Sequence, residues 1–301
     1  MTIKRNEFEQ LIASINCCYA KEVFANLPNI NDFPPTIFDG LNIELDKLHS
    51  LIDSISNVYL KSVVLRLIAI SELRRARDNG LKFEISRVWN LLSESILILP
   101  VNATISSIGS QGFLSIPLFK DDKVKESFDF IRLHIWDNSL LNYINSKACE
   151  NFSIHTHSFY AESWVLCGKV VNDRFKVNIK TFPTKNSLFT VGYNKSLNEI
   201  NQHTSSANNT NTFVEINQIS HETYMQGGNY FIKAGDYHRS GSEGENGLSA
   251  TLFSFTAANG LVDQSYVTGP SEIKSSQINR KMHIDPTELL KSINIKMKNN
   301  E

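Results

Sequence analysis

Residues 152–168 read FSIHTHSFYAESWVLCG. Two histidines, His155 and His157, stand one residue apart in an otherwise strand-like run, and Glu162 and Gly168 follow. On a strand, residues i and i+2 point to the same face. The spacing therefore predicts two imidazoles projecting side by side into one space. If that face is the inside of a barrel, both can reach one metal ion, and Glu162 can approach the same point. A further ligand has to come from a distant strand. Residues 228–241, GNYFIKAGDYHRSG, supply His238 three positions after Gly235, where Gly235-Asp236 provides turn chemistry that swings the next strand inward.

The rest of the chain frames this stretch. The first hundred residues read as helical. Phe8, Leu11, Ile12, Ile15, Tyr19 and Val23 recur at helical spacing, Leu27 to Gly40 with its prolines reads as loop, and a tract from Leu45 continues past a kink through Val63, Val64, Leu67 and Leu73. Arg74, Arg75 and Arg77 followed by Gly80 mark its solvated end, and a further helix spans Ser86 to Leu97. After Pro100, short apolar runs alternate with polar turns: Phe128–Trp136, Phe152–Ile154, Ser163–Val171, Phe175–Phe182, Phe213–Ile219, Tyr230–Ile232 and Ser249–Thr256. This texture predicts a β-sandwich or barrel. Asn198 to Thr212, rich in Asn, Ser and Thr, reads as a polar loop. Near the end, Asp285 reads as a helix cap, with Pro286 at the first helical position.

HxH with a following glutamate and glycine, then a distant Gly-x-x-His, resembles the paired motifs of the cupin superfamily: His155, His157, Glu162 and Gly168, then Gly228, Gly235 and His238. The resemblance covers about residues 116–257 and implies a double-stranded β-helix, the jelly-roll barrel, with a divalent metal between its strands. SIHTHS with the later YHRSGS and LSATLFSF further resembles the cysteine-dioxygenase-like branch (RmlC-like jelly roll), which holds iron on three histidines. His155, His157 and His238 would be those three, with Arg239 matching the arginine after the last. Arg132, on an upstream strand, would meet the substrate carboxylate. The strand Ser249 to Phe255 departs from that branch: Phe253 and Phe255 stand where it needs His and Tyr. A substrate more apolar than cysteine is the consequence. The helical first hundred residues belong to neither pattern.

The expected fold class is therefore α+β: an all-helical N-terminal region over residues 1–100, a cupin double-stranded β-helix over 101–270, and a 271–301 tail with a short helix. Imidazoles bind iron, manganese, nickel, copper or zinc without choosing among them. The resemblance selects Fe2+, the others remaining alternatives. Arg132, His134 and Trp136 alternate and share one strand face. If it is inward, Arg132 can clamp a carboxylate and His134 can donate a proton. The bland alternatives are a paired structural arginine and a hydrogen-bonded barrel histidine. Tyr160, Tyr224 and Tyr230 are candidates to line the pocket, and Glu162 is either a ligand or a rim residue.

The chain has 301 residues, a net charge of −1, 41% hydrophobic and 20% charged residues. Nothing in that balance favours nucleic acid or a membrane surface, and neither is expected as a partner. MTIKRNEFEQ lacks the apolar run of a secretory leader, and Cys17, Cys18, Cys149 and Cys167 form no CxxC pair, so the expectation is cytoplasmic. These readings predict a metal-dependent, dioxygenase-like oxidoreductase acting on a small organic acid or functionalised metabolite with dioxygen, the helical region either covering one mouth of the barrel or mediating a homodimer. The rival classes are a non-oxidative cupin isomerase, lyase or decarboxylase, and a ligand-sensing regulatory barrel.

Overall fold

A computed structural model describes residues 2–40, 42–108, 111–193, 203–243, 247–279, 281–282 and 284–299. The chain divides into two compact units. One comprises Met1–Ile105, Pro117–Asp121 and Asp285–Glu301; the other comprises Ser106–Ile116 and Asp122–Ile284.

The first unit is mainly helical. It holds β1 (Thr2–Lys4), α1 (Arg5–Asn16), β2 (Phe38–Asp39), β3 (Asn42–Glu44), α2 (Leu45–Leu51), α3 (Val58–Asn79) and α4 (Ile85–Leu97). α1 stops at Asn16, so Tyr19 and Val23 lie beyond it, although both are buried. The tract from Leu45 is two helices rather than one kinked helix. A tight turn follows Leu51, and Asn57 then caps a new start, its Oδ1 accepting from the amides of Tyr59 and Leu60 at 2.9 and 3.1 Å. α3 buries Val63, Val64, Leu67, Ile70 and Leu73 and ends on Gly80 in the left-handed conformation, φ 62°. The arginine cluster at that end is not simply solvated: Arg77 is buried and its Nε donates to Asp78, while Arg74 lies over the Phe119 ring. The C-terminal helix begins one residue later than the sequence suggests. Pro286 is its cap residue, and Asp285 accepts the Thr287 amide at 2.9 Å.

The second unit is built from antiparallel strands. These are β4 (Ser107–Ile108), β5 (Leu114–Asp121, its second half counted with the helical unit), β6 (Asp129–Trp136), β7 (Phe159–Cys167), β8 (Lys169–Ile179), β9 (Asn186–Tyr193), β10 (His203–Met225), β11 (Asn229–Ile232), β12 (Tyr237–Ser242), β13 (Ser249–Leu261), β14 (Tyr266–Pro270), β15 (Ser275–Asn279) and β16 (Lys281–Met282). Two short helices complete the set: α5 (Ser146–Asn151) here and α6 (Thr287–Lys298) in the helical unit. One sheet runs β11-β7-β13-β6-β5-β4-β16 and the other β12-β8-β10-β9-β14, with β15 on β10. From β7 onward the chain changes sheet repeatedly: β7 in the first, β8 to β10 in the second, β11 in the first, β12 in the second, β13 in the first and β14 in the second. Alternation of this kind winds two sheets into a jelly roll. The protein has an α+β fold, a mainly helical unit and a jelly-roll-like pair of antiparallel sheets.

Within Asn198–Thr212, the part from His203 onward is strand, not loop, pairing with β9 and β15. Residues 198–202 lie outside the described residues. The run Ser163–Val171 is two strands, because Gly168 turns the chain at φ 77° between β7 and β8. A Cβ there would meet Ser249 Oγ at 2.3 Å, so only glycine makes this turn.

A candidate metal centre inside the barrel

His155 and His157 do not sit on a regular strand. They lie in the segment before β7, where His155 forms isolated bridges to both His238 and Val267. His155 and His238 exchange both backbone hydrogen bonds at 3.0 Å. On the other side the Thr156 amide donates to the Tyr266 carbonyl at 2.8 Å, and the Thr268 amide to the Ile154 carbonyl at 2.9 Å. β12 and β14 are the two ends of the second sheet's strand path, and the histidine segment joins them. Gly235 adds a clamp through its amide, which donates to the His157 carbonyl at 2.9 Å, at φ 84°. Phe152 anchors the segment's start in a small core with Phe189, Ala207 and Val267.

The three rings converge. Centroids are 4.7 Å apart for His155 and His157, 4.3 Å for His155 and His238, and 4.8 Å for His157 and His238. One nitrogen from each lies within 4.8 Å of the other two. His238 is buried and the other two are half-buried. Desolvation lowers all three pKa values, well below the ordinary imidazole value for His157 and His238. All three are therefore neutral at neutral pH, the form a cation requires. His155 Nδ1 faces the Ser153 carbonyl at 2.9 Å, which fixes the ring as an Nδ1–H donor and leaves Nε2 for coordination. His238 Nδ1 is buried with no hydrogen-bond partner among the described residues. Clustered, neutral, incompletely satisfied imidazoles fit a divalent transition metal.

Strand register shows what surrounds them. In the first sheet Arg132 pairs with Phe253, His134 with Thr251 and Phe130 with Phe255, while Phe253 pairs with Ser163 and Phe255 with Ala161 across β7. Directly opposed residues share a face. Ala161, Val165, Tyr230, Ile232 and Phe253 form one core cluster, so this is the inner face. Phe255 lies 4.8 Å and Phe253 6.1 Å from the His157 ring. Arg132 sits over the Phe130 ring at 4.0 Å; its charge lowers the pKa of His134 after burial, and that of His157 after burial and the neighbouring His155, His238 and His134. His134 is enclosed by Phe113 and Phe253, with ring centroids at 4.1 and 4.9 Å. Its Nε2 is buried without a hydrogen-bond partner among the described residues, so it is not the satisfied barrel histidine of the bland reading.

Two expected site residues are elsewhere. Glu162 and Tyr160 sit on the other face of β7 from Ala161 and Val165. The Glu162 carboxylate accepts from Asn229 Nδ2 at 3.1 Å and is outside the histidine group, while Tyr160 stacks on the half-exposed Phe231 at 6.1 Å. Within β7, Ala161, Ser163 and Val165 face the core, so the residues that alternate with them, Tyr160 and Glu162, face out. Tyr230 is inside, stacked on Tyr224 at 4.7 Å.

The second sheet adds an inner wall of which the sequence points only to His238 and Tyr224. Val170, Asn172 and Arg174 of β8 are opposed by Tyr224, Glu222 and Ser220 of β10, and by Ser242, Ser240 and His238 of β12. Glu222 accepts from Arg174 Nε at 2.9 and 3.0 Å, Asn172 Nδ2 at 3.2 Å, Ser220 Oγ at 3.1 Å and Tyr224 OH at 3.0 Å. Burial opposes its charge, but these donors, Arg174 first, hold its pKa below the usual value. Spacing gives no signal for this group, whose members are far apart in the chain. The alternation of polar residues along β8 and β10 is the one clue.

No family model and no curated protein matches the chain. Among solved structures, it is similar to pumpkin seed globulin (TM-score 0.28, 10% identity, 53% of this chain and 34% of that one) and to procruciferin, an 11S globulin from Brassica napus (0.25, 9%, 51% and 31%). The chain thus spans about a third of the length of these globulins. It is also similar to hydroxypropylphosphonic acid epoxidase from S. wedmorenis (TM-score 0.27, 10% identity, 70% of this chain and 95% of that one). Likeness at this level says nothing about activity.

Proposed function

We propose that this chain is a mononuclear non-haem metal oxygenase of the cysteine-dioxygenase-like kind, with iron on His155, His157 and His238, acting on a small organic acid. The observation that supports it is the convergence of three neutral imidazoles, from two distant parts of the chain, in the barrel interior. Such an ion, when bound, supplies open coordination positions and redox chemistry for coupling substrate to dioxygen.

The chain's own residues do the rest. The Ser153 carbonyl holds the His155 ring in one orientation. Arg132, already inside and stacked on Phe130, holds the substrate carboxylate by charge-assisted hydrogen bonds. Neutral His134 takes or gives a proton at its unpartnered Nε2. Phe253, Phe255 and Trp136 keep water from the reacting groups. Glu162 and Tyr160 have no part, since they face away.

Elemental analysis of purified protein, followed by an oxygen-electrode screen of organic acids, tests this. Iron near one per chain with acid-dependent oxygen uptake supports it. Zinc, manganese or nickel without oxygen uptake moves the assignment to the non-oxidative class. Arg132→Ala is expected to weaken substrate affinity by at least about tenfold with metal content unchanged. Equal loss of both would make Arg132 structural.

A further inference from the structure

The helical unit holds a pair of adjacent thiols that the barrel chemistry leaves unused. α1 ends at Asn16, and Cys17 and Cys18 follow it. They stand three and four positions after Ser14, so both lie over its carbonyl. Each sulfur donates to that oxygen, Cys17 Sγ at 3.3 Å and Cys18 Sγ at 3.5 Å, and Cys17 Sγ also reaches the Lys120 carbonyl at 3.5 Å. The two sulfurs are thereby gathered to one side, 4.0 Å apart. Neither is in a disulfide. Cys18 is buried and Cys17 is partly exposed, so solvent reaches the pair from one side. Ser14, Lys120 and both cysteines belong to the same compact unit.

Geometry decides between the two things a thiol pair can do. Adjacent α-carbons are about 3.8 Å apart. Disulfides usually span about 4.4–6.8 Å between α-carbons, so joining these sulfurs directly strains the chain. A single ion bonded to both meets no such obstacle. With thiolate–metal bonds of about 2.3 Å, the sulfurs stand about 3.8 Å apart at a tetrahedral angle and about 4.6 Å apart in line. The observed 4.0 Å lies within that range.

Ligand count and charge select the ion. No histidine, carboxylate or further cysteine joins the pair in a metal-sized group among the described residues. Zinc in a structural site asks for four such ligands, whereas soft thiolates alone suit copper(I). Arg66 is 1% exposed, and its partners are neutral: Nε donates to Ser95 Oγ at 3.1 Å, and the guanidinium lies 4.2 Å from the Tyr19 ring. Its Nη1 is buried with no hydrogen-bond partner among the described residues. Burial, then Cys17, pushes the Cys18 thiol up, while the charges of Arg66 and Lys120 pull it down. Those two cations disfavour a dication beside the pair. Two thiolates around a monovalent ion carry one net negative charge, which Arg66 and Lys120 offset.

We infer that Cys17 and Cys18 form a two-thiolate site for copper(I), separate from the histidine group and independent of the function proposed for it. Loading breaks two S–H bonds, forms two Cu–S bonds and releases two protons, with no change of oxidation state.

The test is an anaerobic titration of full-length, thiol-reduced protein with copper(I) buffered by a chromogenic chelator. The wild type takes up one sulfur-bound copper(I), seen as thiolate-to-copper charge-transfer absorption in the ultraviolet, with two protons released. Excess zinc leaves the signal in place. So do Cys149→Ser and His155→Ala, which separate the pair from the other thiols and from the histidine group. Cys17→Ser and Cys18→Ser each abolish it, with circular dichroism confirming the fold. Cys17 is partly exposed and lies outside the helix, so Cys17→Ser carries the test even where Cys18→Ser does not fold. A wild type without the signal, a signal that survives in Cys17→Ser, its loss in Cys149→Ser or His155→Ala, or its displacement by zinc overturns the inference.

Discussion

At the residue scale, His134 shows what the interior gives up for function. A ring nitrogen with no partner in a closed aromatic setting costs stability that water would have supplied. His134→Phe is expected to stabilise the metal-free protein by about 1 kcal/mol in chemical denaturation while lowering turnover. Destabilisation with unchanged turnover would mean that His134 is a packing residue. The histidines were legible in sequence because their types and spacing are unusual. Arg174 and Glu222 were not, because a charged residue on a strand carries no mark of which sheet face is interior. Glu162 misled for the opposite reason: it completes a familiar motif, yet its parity places it outside, on Asn229.

At the element scale, the deciding feature is that the histidine segment is not a strand. Side-by-side projection was expected from strand alternation, but the rings meet because the segment is bridged on both sides, to His238 and to Val267. Tertiary hydrogen bonding does what local periodicity was expected to do. Gly269 on β14 serves this arrangement. A Cβ there would lie 2.3 Å from Phe152 Cε1 and 3.1 Å from Phe189, in the core that anchors the segment. Gly269→Ala is expected to cost about 1–3 kcal/mol in unfolding free energy and to weaken metal affinity, since Phe152 cannot keep its place. Unchanged metal affinity would show that the segment is held by its bridges alone. Strand existence was readable from alternation and turn residues, as at β6 and β13. Strand ends were not, because pairing extends β10 through residues whose Asn, Ser and Thr content reads as loop.

At the scale of the whole molecule, four interior histidines couple stability to pH. His134, His155, His157 and His238 all bind protons more weakly in the folded chain than in the unfolded one, chiefly because burial penalises their charge. As pH falls below about 6.5, the unfolded chain takes up protons the folded chain refuses, so stability falls; above that pH these groups add no slope. The metal-free protein should lose up to about 1.4 kcal/mol per pH unit for each such histidine, and His134→Phe should shed one histidine's share of that slope. A slope unaffected by the substitution would mean that His134 is not titrating this way.

The central claim is that one ion is held jointly by His155, His157 and His238. Metal stoichiometry of the wild type against His155→Ala and His238→Ala, with circular dichroism confirming that each variant stays folded, tests it most directly. The account predicts close to one divalent metal per wild-type chain and loss of at least about tenfold in affinity in either variant. Full stoichiometric retention in both folded variants would contradict it.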